Sequence, residues 1–193
     1  MTRTRRILTA WTLGLIVATW ALAAPETFKF DKVHSYVGFR IRHVVTKVEG
    51  RFRDFDGTIV LDRANPAASR VELTIPAASI DTGNEGRDKD LRSPNYFDVE
   101  KYPTVTFKST KVEPKGADLY DVTGDFTLHG VTKTIHVPVK HTGFGKLMNT
   151  EKAGFEVNLA LKRSDYGMTT GAPILGDDVE INIQVEANKE GAK

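Results

Sequence analysis

The chain has 193 residues, with 27 basic and 25 acidic side chains and no cysteine. This length fits one domain, and the absence of cysteine excludes disulfides, thiolate catalysis and cysteine-ligated metals. The nearly balanced charge argues against a nucleic-acid-binding surface.

The first predicted element is an export signal. The basic start MTRTRR precedes the uncharged run ILTAWTLGLIVATWALA, which ends on small residues at Ala21 and Ala23. This layout is typical of a secretory signal peptide and predicts cleavage after Ala23. The alternative is an uncleaved membrane anchor, for which the run is short. Cleavage removes Arg3, Arg5 and Arg6 and no acid, so residues 24–193 keep 24 basic against 25 acidic side chains, a net charge of about −1.

The following residues alternate between apolar and polar, which predicts β-strands. In the first strand one face carries Val33, Ser35, Val37, Phe39, Ile41, His43 and Val45. In the next segment, RFRDFDGTIVLD, Phe52 has one parity and Phe55 the other. A parity change of this kind predicts a β-bulge near Arg53–Asp54.

Six further segments alternate in the same way: SRVELTIP, TVTFKSTKV, LYDVTGDFTLHG, VTKTIHVPVK, GFEVNLALKR and VEINIQVEA. Together they give about eight half-buried strands, and short turns such as His129–Gly130 indicate antiparallel hairpins. The predicted fold class is therefore all-β, with eight antiparallel strands closed into a barrel whose interior is either filled or holds one small ligand. The polar tail 187–193, ANKEGAK, is predicted to fray.

The segment Ala77–Pro103 is too long for a hairpin loop. It predicts a short helix over Asn84–Ser93 and a turn at NYFD, with apolar side chains at Leu91, Tyr96 and Phe97. A partly helical insert of this kind is either a lid over one mouth of the barrel or a plug for one end. Functional residues concentrate on such segments.

Catalytic and metal-binding motifs are weak. The five histidines show no short metal-binding spacing, so scattered structural histidines are favoured over a metal site, which needs converging ligands. His34 and Ser35 are adjacent on a strand and therefore face opposite ways. No nucleophile elbow or phosphate-binding loop occurs, and paired aspartates such as Asp54 and Asp56 lie beside glycine in turn-like contexts.

His43 is the unusual residue because it falls on the apolar face of the first strand. It is either a core histidine bonded to a neighbour or a polar group inside an apolar cavity that receives the head of a ligand. The pattern fits both alternatives equally.

The motifs as a set resemble the YceI family. The residues that carry the resemblance are FDKVHSYVGFRIRHVVTKVEGRFRDFDGTI, IPAASIDTGNEGRDKDLRSPNYFDVEKYPTVTFKST, YDVTGDFTLHGVTKTIHVPV and LKRSDYGM with GDDVEI. They cover residues 24–193 almost completely and in order. The resemblance implies a lipocalin-like barrel, expected in the bacterial periplasm, that holds a long apolar chain such as a polyisoprenoid, an isoprenoid quinone or a fatty amide.

The resemblance also supplies candidate ligand-binding residues. It supplies no catalytic residue, no metal ligand and no cofactor other than the bound lipid or quinone. The candidates are Phe39, Ile41, His43, Phe52, Phe55, Leu91, Phe97, Phe107, Tyr166 and Met168. Candidate partners are the long-chain apolar ligand, an inner-membrane donor or acceptor of it, and a second copy of the chain in a homodimer.

Three hypotheses about function remain at this point. The first is a periplasmic protein that transports or stores an isoprenoid-type lipid. The second is an enzyme that modifies such a lipid, with His43 as acid or base. The third is a stress-related structural barrel with a filled core.

Overall fold

The structure is a computed structural model that describes residues 24–191, and the predicted signal peptide, 1–23, lies outside the described residues. β-Strands predominate, as the alternating pattern predicts. The strands are β1 (Glu26–Phe30), β2 (Tyr36–His43), β3 (Thr46–Phe52), β4 (Asp56–Leu61), β5 (Arg70–Pro76), β6 (Ile80–Asp81), β7 (Thr104–Pro114), β8 (Leu119–Leu128), β9 (Val131–Leu147), β10 (Thr150–Lys162) and β11 (Leu175–Lys189). The helix α1 spans Glu85–Arg92, and 3₁₀ turns cover Pro66–Ala68, Ala77–Ser79 and Arg163–Tyr166.

The strands form one antiparallel sheet that closes on itself. Its neighbours are β1, β4, β5, β7, β8, β9, β10 and β11, and β11 pairs back with β1. The other half of β11 pairs with β2, which continues into β3 and β6. Because β1 and β2, β3 and β4, and β5 and β6 are consecutive pieces of interrupted strands, the fold is a closed eight-stranded barrel. The predicted fold class is confirmed.

Strand β11 closes the barrel through residues that the sequence predicted to fray. Ala187 pairs with Phe30 and is fully buried, and Lys189 pairs with Phe28. The Lys189 ammonium also forms ion pairs with Glu26 and Glu151. The prediction of fraying is therefore wrong for Ala187–Lys189, because pairing with β1, a strand not predicted, outweighs the low strand propensity of this polar segment.

The irregularity predicted near Arg53–Asp54 is a strand break and not a β-bulge. β3 ends at Phe52 and β4 begins at Asp56. Inward-facing positions are even-numbered before the break, as at Phe52, and odd-numbered after it, as at Ile59. The predicted change of parity is confirmed, but the chain achieves it by turning a corner of the barrel.

The alternating sequence pattern of the first predicted strand is longer than the strand that the structure forms there. β2 spans only Tyr36–His43, and the predicted inner-face residues Val33 and Val45 are 84% and 94% exposed. Alternation predicts direction only where the backbone is extended, and both valines lie in turns. Their assignment to the inner face is corrected.

A polar cluster fixes the corner between β1 and β2. His34 Nδ1 lies 2.9 Å and Lys152 Nζ 3.3 Å from the same oxygen, Asp31 Oδ2. Possible ligand atoms of Asp31, His34 and Glu186 all lie within 4.8 Å of one another. Lys152 also pairs with Glu186, and its ammonium already supplies the positive charge that a metal ion would bring, so an ion-pair network accounts for the cluster.

Acid should weaken this corner. The His34 ring above all, with the Val33 N–H and the Lys152 ammonium, holds the pKa of Asp31 well below its usual range. A carboxyl with a lowered folded pKa stabilises the fold above its unfolded pKa of about 3.9, and the stabilisation is lost as the pH falls towards the folded pKa. Between about pH 5 and pH 2 the free energy of unfolding should fall in both proteins. We expect the fall to be about 1 to 2 kcal/mol smaller in Asp31→Asn than in wild type. Urea unfolding at both pH values measures this, and equal losses would contradict it.

Candidate functional site

The barrel encloses a cavity of about 580 Å³. Ligand sites in proteins typically measure about 300 to 1,000 Å³. Inward-facing side chains of β1 to β5 and β7 to β11 line the cavity, and most of them are aliphatic or aromatic. Along β11 the lining runs from Leu175 to Val185, and at about 3.3 Å per residue this implies a cavity that follows most of the barrel's length.

The side chains of the barrel interior do not fill it. Inward-facing residues such as Leu73, Leu159 and Ile181 line the cavity and are only half-buried. In a packed interior such residues would be inaccessible to water. The hypothesis of a structural barrel with a filled core therefore finds no support in the structure.

Polar lining residues lie at the two ends of the cavity. One end carries the insert after β5 together with the turn between β2 and β3, and we call it the helix end. His43, Thr82, Arg87 and Asp90 line the cavity there. Arg70, which begins β5, lines the opposite end. A bound chain would therefore meet apolar side chains along its length and polar groups only near its termini.

The structure places all but one of the predicted ligand-binding residues on the cavity wall. These are Phe39, Ile41, His43, Phe52, Leu91, Phe97, Phe107, Tyr166 and Met168. They come from three strands, the insert and the connection between β10 and β11, so the fold brings distant motifs to one surface. Their contact with a ligand stays a prediction.

Phe55 is the exception, and its placement corrects the prediction. It lies in the break between β3 and β4 and is only 3% exposed. Its ring packs in a core cluster with Val37, Ile75, Ala77 and Val105, and Phe55 itself does not line the cavity. Phe55 was a candidate through the family resemblance, which did not indicate that its ring would be enclosed in the core at a break between strands.

His43 lies at the mouth of the cavity. It is the last residue of β2, it pairs in register with Thr46 and Leu175, and it is exposed. It is therefore neither a buried core histidine nor a polar group deep in an apolar cavity. Within the part of the chain that the structure describes, His43 has no side-chain hydrogen-bond partner, so the hypothesis of an enzyme with His43 as acid or base gains no support.

The insert after β5 covers the helix end as a fixed element. The helix α1 begins where the sequence predicts it. The Asn84 side chain caps it by accepting a hydrogen bond from the Arg87 N–H at 3.0 Å. Arg92 at its end donates to the carbonyls of Ala78 and Ile80 at 2.8 and 2.7 Å. From this anchored base Phe97 meets Phe52 edge-on, with ring centroids 5.9 Å apart. The insert thus contributes the apolar side chains of Leu91, Tyr96 and Phe97 to the cavity wall.

Tyr166 lies where the connection between β10 and β11 reaches the cavity. Its side chain is 2% exposed and packs edge-on against Phe126, with ring centroids 5.5 Å apart. Burial, with a smaller contribution from Asp165, raises the pKa of the Tyr166 hydroxyl. The phenol therefore stays protonated at neutral pH and can donate a hydrogen bond.

Comparisons with known proteins agree with this architecture. Residues 28–187 match the family model described as YceI-like domain. The chain belongs to the YceI-like family. It is 39% identical to the YceI protein of Salmonella arizonae over 186 residues, which cover 94% of this chain and 97% of that protein.

Solved structures extend the YceI-like comparison. The YceI protein of Campylobacter jejuni superposes with a TM-score of 0.69 at 36% identity, over 75% of this chain and 86% of that one. A structure from Saccharophagus degradans described as a polyisoprenoid binding domain gives a TM-score of 0.66 at 18% identity, over 84% and 98% of the two chains. At that identity the second comparison shows the fold alone.

Sequence reasoning missed two buried charges of this YceI-like barrel. Arg163 is 7% exposed and donates to the carbonyl oxygens of Gly176 at 2.8 Å and of Met168 and Thr170 at 2.7 Å. Asp88 is 6% exposed and accepts from the Thr82 N–H at 2.9 Å. Asp88 lies three residues before Leu91 and so shares its side of α1, and the position of Leu91 was the available signal. Arg163 stands in the LKRSDYGM motif, but no periodicity marks it as buried.

Proposed function

We propose that the protein binds a long-chain isoprenoid-type lipid, a polyisoprenoid or an isoprenoid quinone, in the barrel cavity and stores or transports it. The observation that carries the proposal is an apolar interior that its own side chains leave partly accessible. Membership of the YceI-like family supports it, as does the shared fold with a protein described as a polyisoprenoid binding domain. The export-signal pattern at residues 1–23 supports a location in the periplasm.

The energetics suit a carrier. Moving an apolar chain from water into the cavity is favourable by about 0.8 kcal/mol per methylene. The lipid would come from a bilayer, however, where its chain is already out of water, so this contribution nearly cancels. The remaining preference depends on wall packing and on polar groups near the chain ends, and a small net preference allows loading and release.

Chain-length dependence tests the proposal. We expect the polyprenol solanesol to bind with at least about a hundredfold higher affinity than geraniol, which has the same alcohol head but a much shorter chain, because the long chain contacts more of the apolar wall. Competition with a fluorescent fatty probe measures both affinities in the same buffer. Equal affinities, or no binding of solanesol, would contradict the proposal.

A further inference from the structure

Two connections form one exposed apolar protrusion at the helix end. The turn between β2 and β3 exposes Val44 at 53% and Val45 at 94%, and the loop before β11 exposes Ile174 at 54%. The Val44 N–H donates to the Ile174 carbonyl at 2.9 Å, which joins the turn to the loop. We call Val44, Val45 and Ile174 the apolar tip.

The composition of the tip departs from ordinary turn chemistry. Val44 has φ of 51°, in the left-handed region that disfavours β-branched residues. Tight hairpin turns favour asparagine, aspartate and glycine at such positions. A strained and water-exposed valine pair is costly for the isolated fold, and departures of this kind concentrate at functional sites.

The apolar tip is continuous with the cavity. Ile174 is exposed to solvent and also lines the cavity, and the next residue, Leu175, continues the lining inward. His43, directly before the turn, pairs with Leu175 of the neighbouring strand β11 at the mouth. An apolar chain leaving the cavity at this point would therefore pass directly onto the tip.

Basic residues stand directly behind the tip. Arg42 and Lys47 face each other across β2 and β3. The Arg42 guanidinium donates to the carbonyls of Val44 at 3.0 Å and of Pro173 at 3.3 Å, and within residues 24–191 it forms no ion pair with a carboxylate. Lys47 pairs with Glu180, which Arg40 also approaches at 3.4 Å. Apolar residues ahead of cationic ones match the order of acyl chains and phosphates in a bilayer interface.

We infer that the apolar tip inserts into the interface of a phospholipid bilayer, with Arg42 at the level of the phosphates, and so presents the cavity mouth to the membrane. This inference rests on the proposed function, because it supplies the route by which a lipid would enter the cavity. The hairpin between β9 and β10, at the opposite end of the barrel, also exposes apolar side chains, Leu147 at 58% and Met148 at 90%. No residue of that tip lines the cavity, so it offers a matched control.

The test replaces the turn valines by residues that the backbone prefers. Val44→Asn with Val45→Gly should keep the hairpin folded, and neither valine lines the cavity. The control variant is Leu147→Ser with Met148→Asn. Flotation with phosphatidylcholine vesicles, with and without phosphatidylglycerol, measures membrane binding, and vesicle-to-vesicle movement of solanesol measures transfer.

We expect the Val44/Val45 variant to lose vesicle binding and transfer rate by at least about tenfold, and the Leu147/Met148 variant to behave as wild type. Solanesol affinity, measured without vesicles, should be equal in all three proteins. Equal vesicle binding and transfer by wild type and the Val44/Val45 variant would overturn the inference. It would also be overturned if wild type sediments as a dimer that the Val44/Val45 substitutions dissociate, while neither protein binds vesicles. If wild type does not bind solanesol at all, the proposed function is overturned instead.

Discussion

Replacing Leu159 by tryptophan is expected to lower the affinity for solanesol at least tenfold, or by about 1.4 kcal/mol. Leu159 lies on β10, faces the cavity and is half-buried. Barrels with this number of strands have interiors just wide enough for a small ligand. An indole in the middle of the channel therefore occupies the space that the chain needs, while the barrel wall stays intact.

The substitution also brings its own spectroscopic probe. Both natural tryptophans, Trp11 and Trp20, lie in the predicted signal peptide, so a protein starting at residue 24 has no other indole. Emission from Leu159→Trp should be shifted to the blue, as in an apolar environment. The matched control is Ala160→Trp, one residue along on the exposed outer face, for which we expect red-shifted emission and wild-type affinity. Wild-type affinity in Leu159→Trp would contradict a ligand in the cavity.

Replacing Arg163 by alanine is expected to destabilise the fold by about 3 to 5 kcal/mol. The guanidinium is buried and donates to carbonyls of Met168, Thr170 and Gly176. These residues belong to the connection that carries Met168 and Gly171 to the cavity wall. Without the guanidinium the buried carbonyls lose their donor, and the mouth loses the group that holds it in shape.

Urea unfolding of two further variants separates this role from a general effect of losing an arginine. Arg163→Lys keeps the charge but not the fork of donors, and we expect an intermediate loss. Arg40→Ala removes a side chain that is 52% exposed and lies 3.4 Å from Glu180, and it should cost less than about 1 kcal/mol. If Arg163→Ala is as stable as Arg40→Ala, the hydrogen bonds of Arg163 do not stabilise the connection between β10 and β11.

Alternation predicted the barrel well because a half-buried strand must place every second side chain inside. The sequence also predicted a short helix over Asn84–Ser93 in the insert, and α1 lies there. Alternation did not predict β1 or the end of β11. Those short segments are strands because they pair with each other across the closing seam, and no local pattern reports a partner so distant in the chain.

The site was predictable where its residues lie within regular strands, as Phe39 and Ile41 do in β2. At irregular backbone the direction of a side chain is set by tertiary packing, and alternation gave no guide to it. Phe55 turns into the core at a corner, and His43 ends at the rim because β2 ends there. The bonds of Arg163 depend on a connection folded back on itself, which spacing along the sequence does not reveal.

Extraction of the purified protein with organic solvent, followed by mass spectrometry, tests the central claim most directly. The protein should first be exported from cells with its natural N-terminal segment and purified without detergent. Enclosure of a chain by the apolar cavity predicts about one long-chain lipid per barrel from wild type and far less from Leu159→Trp. Wild-type protein that yields no such lipid and takes up none when solanesol is supplied would contradict it.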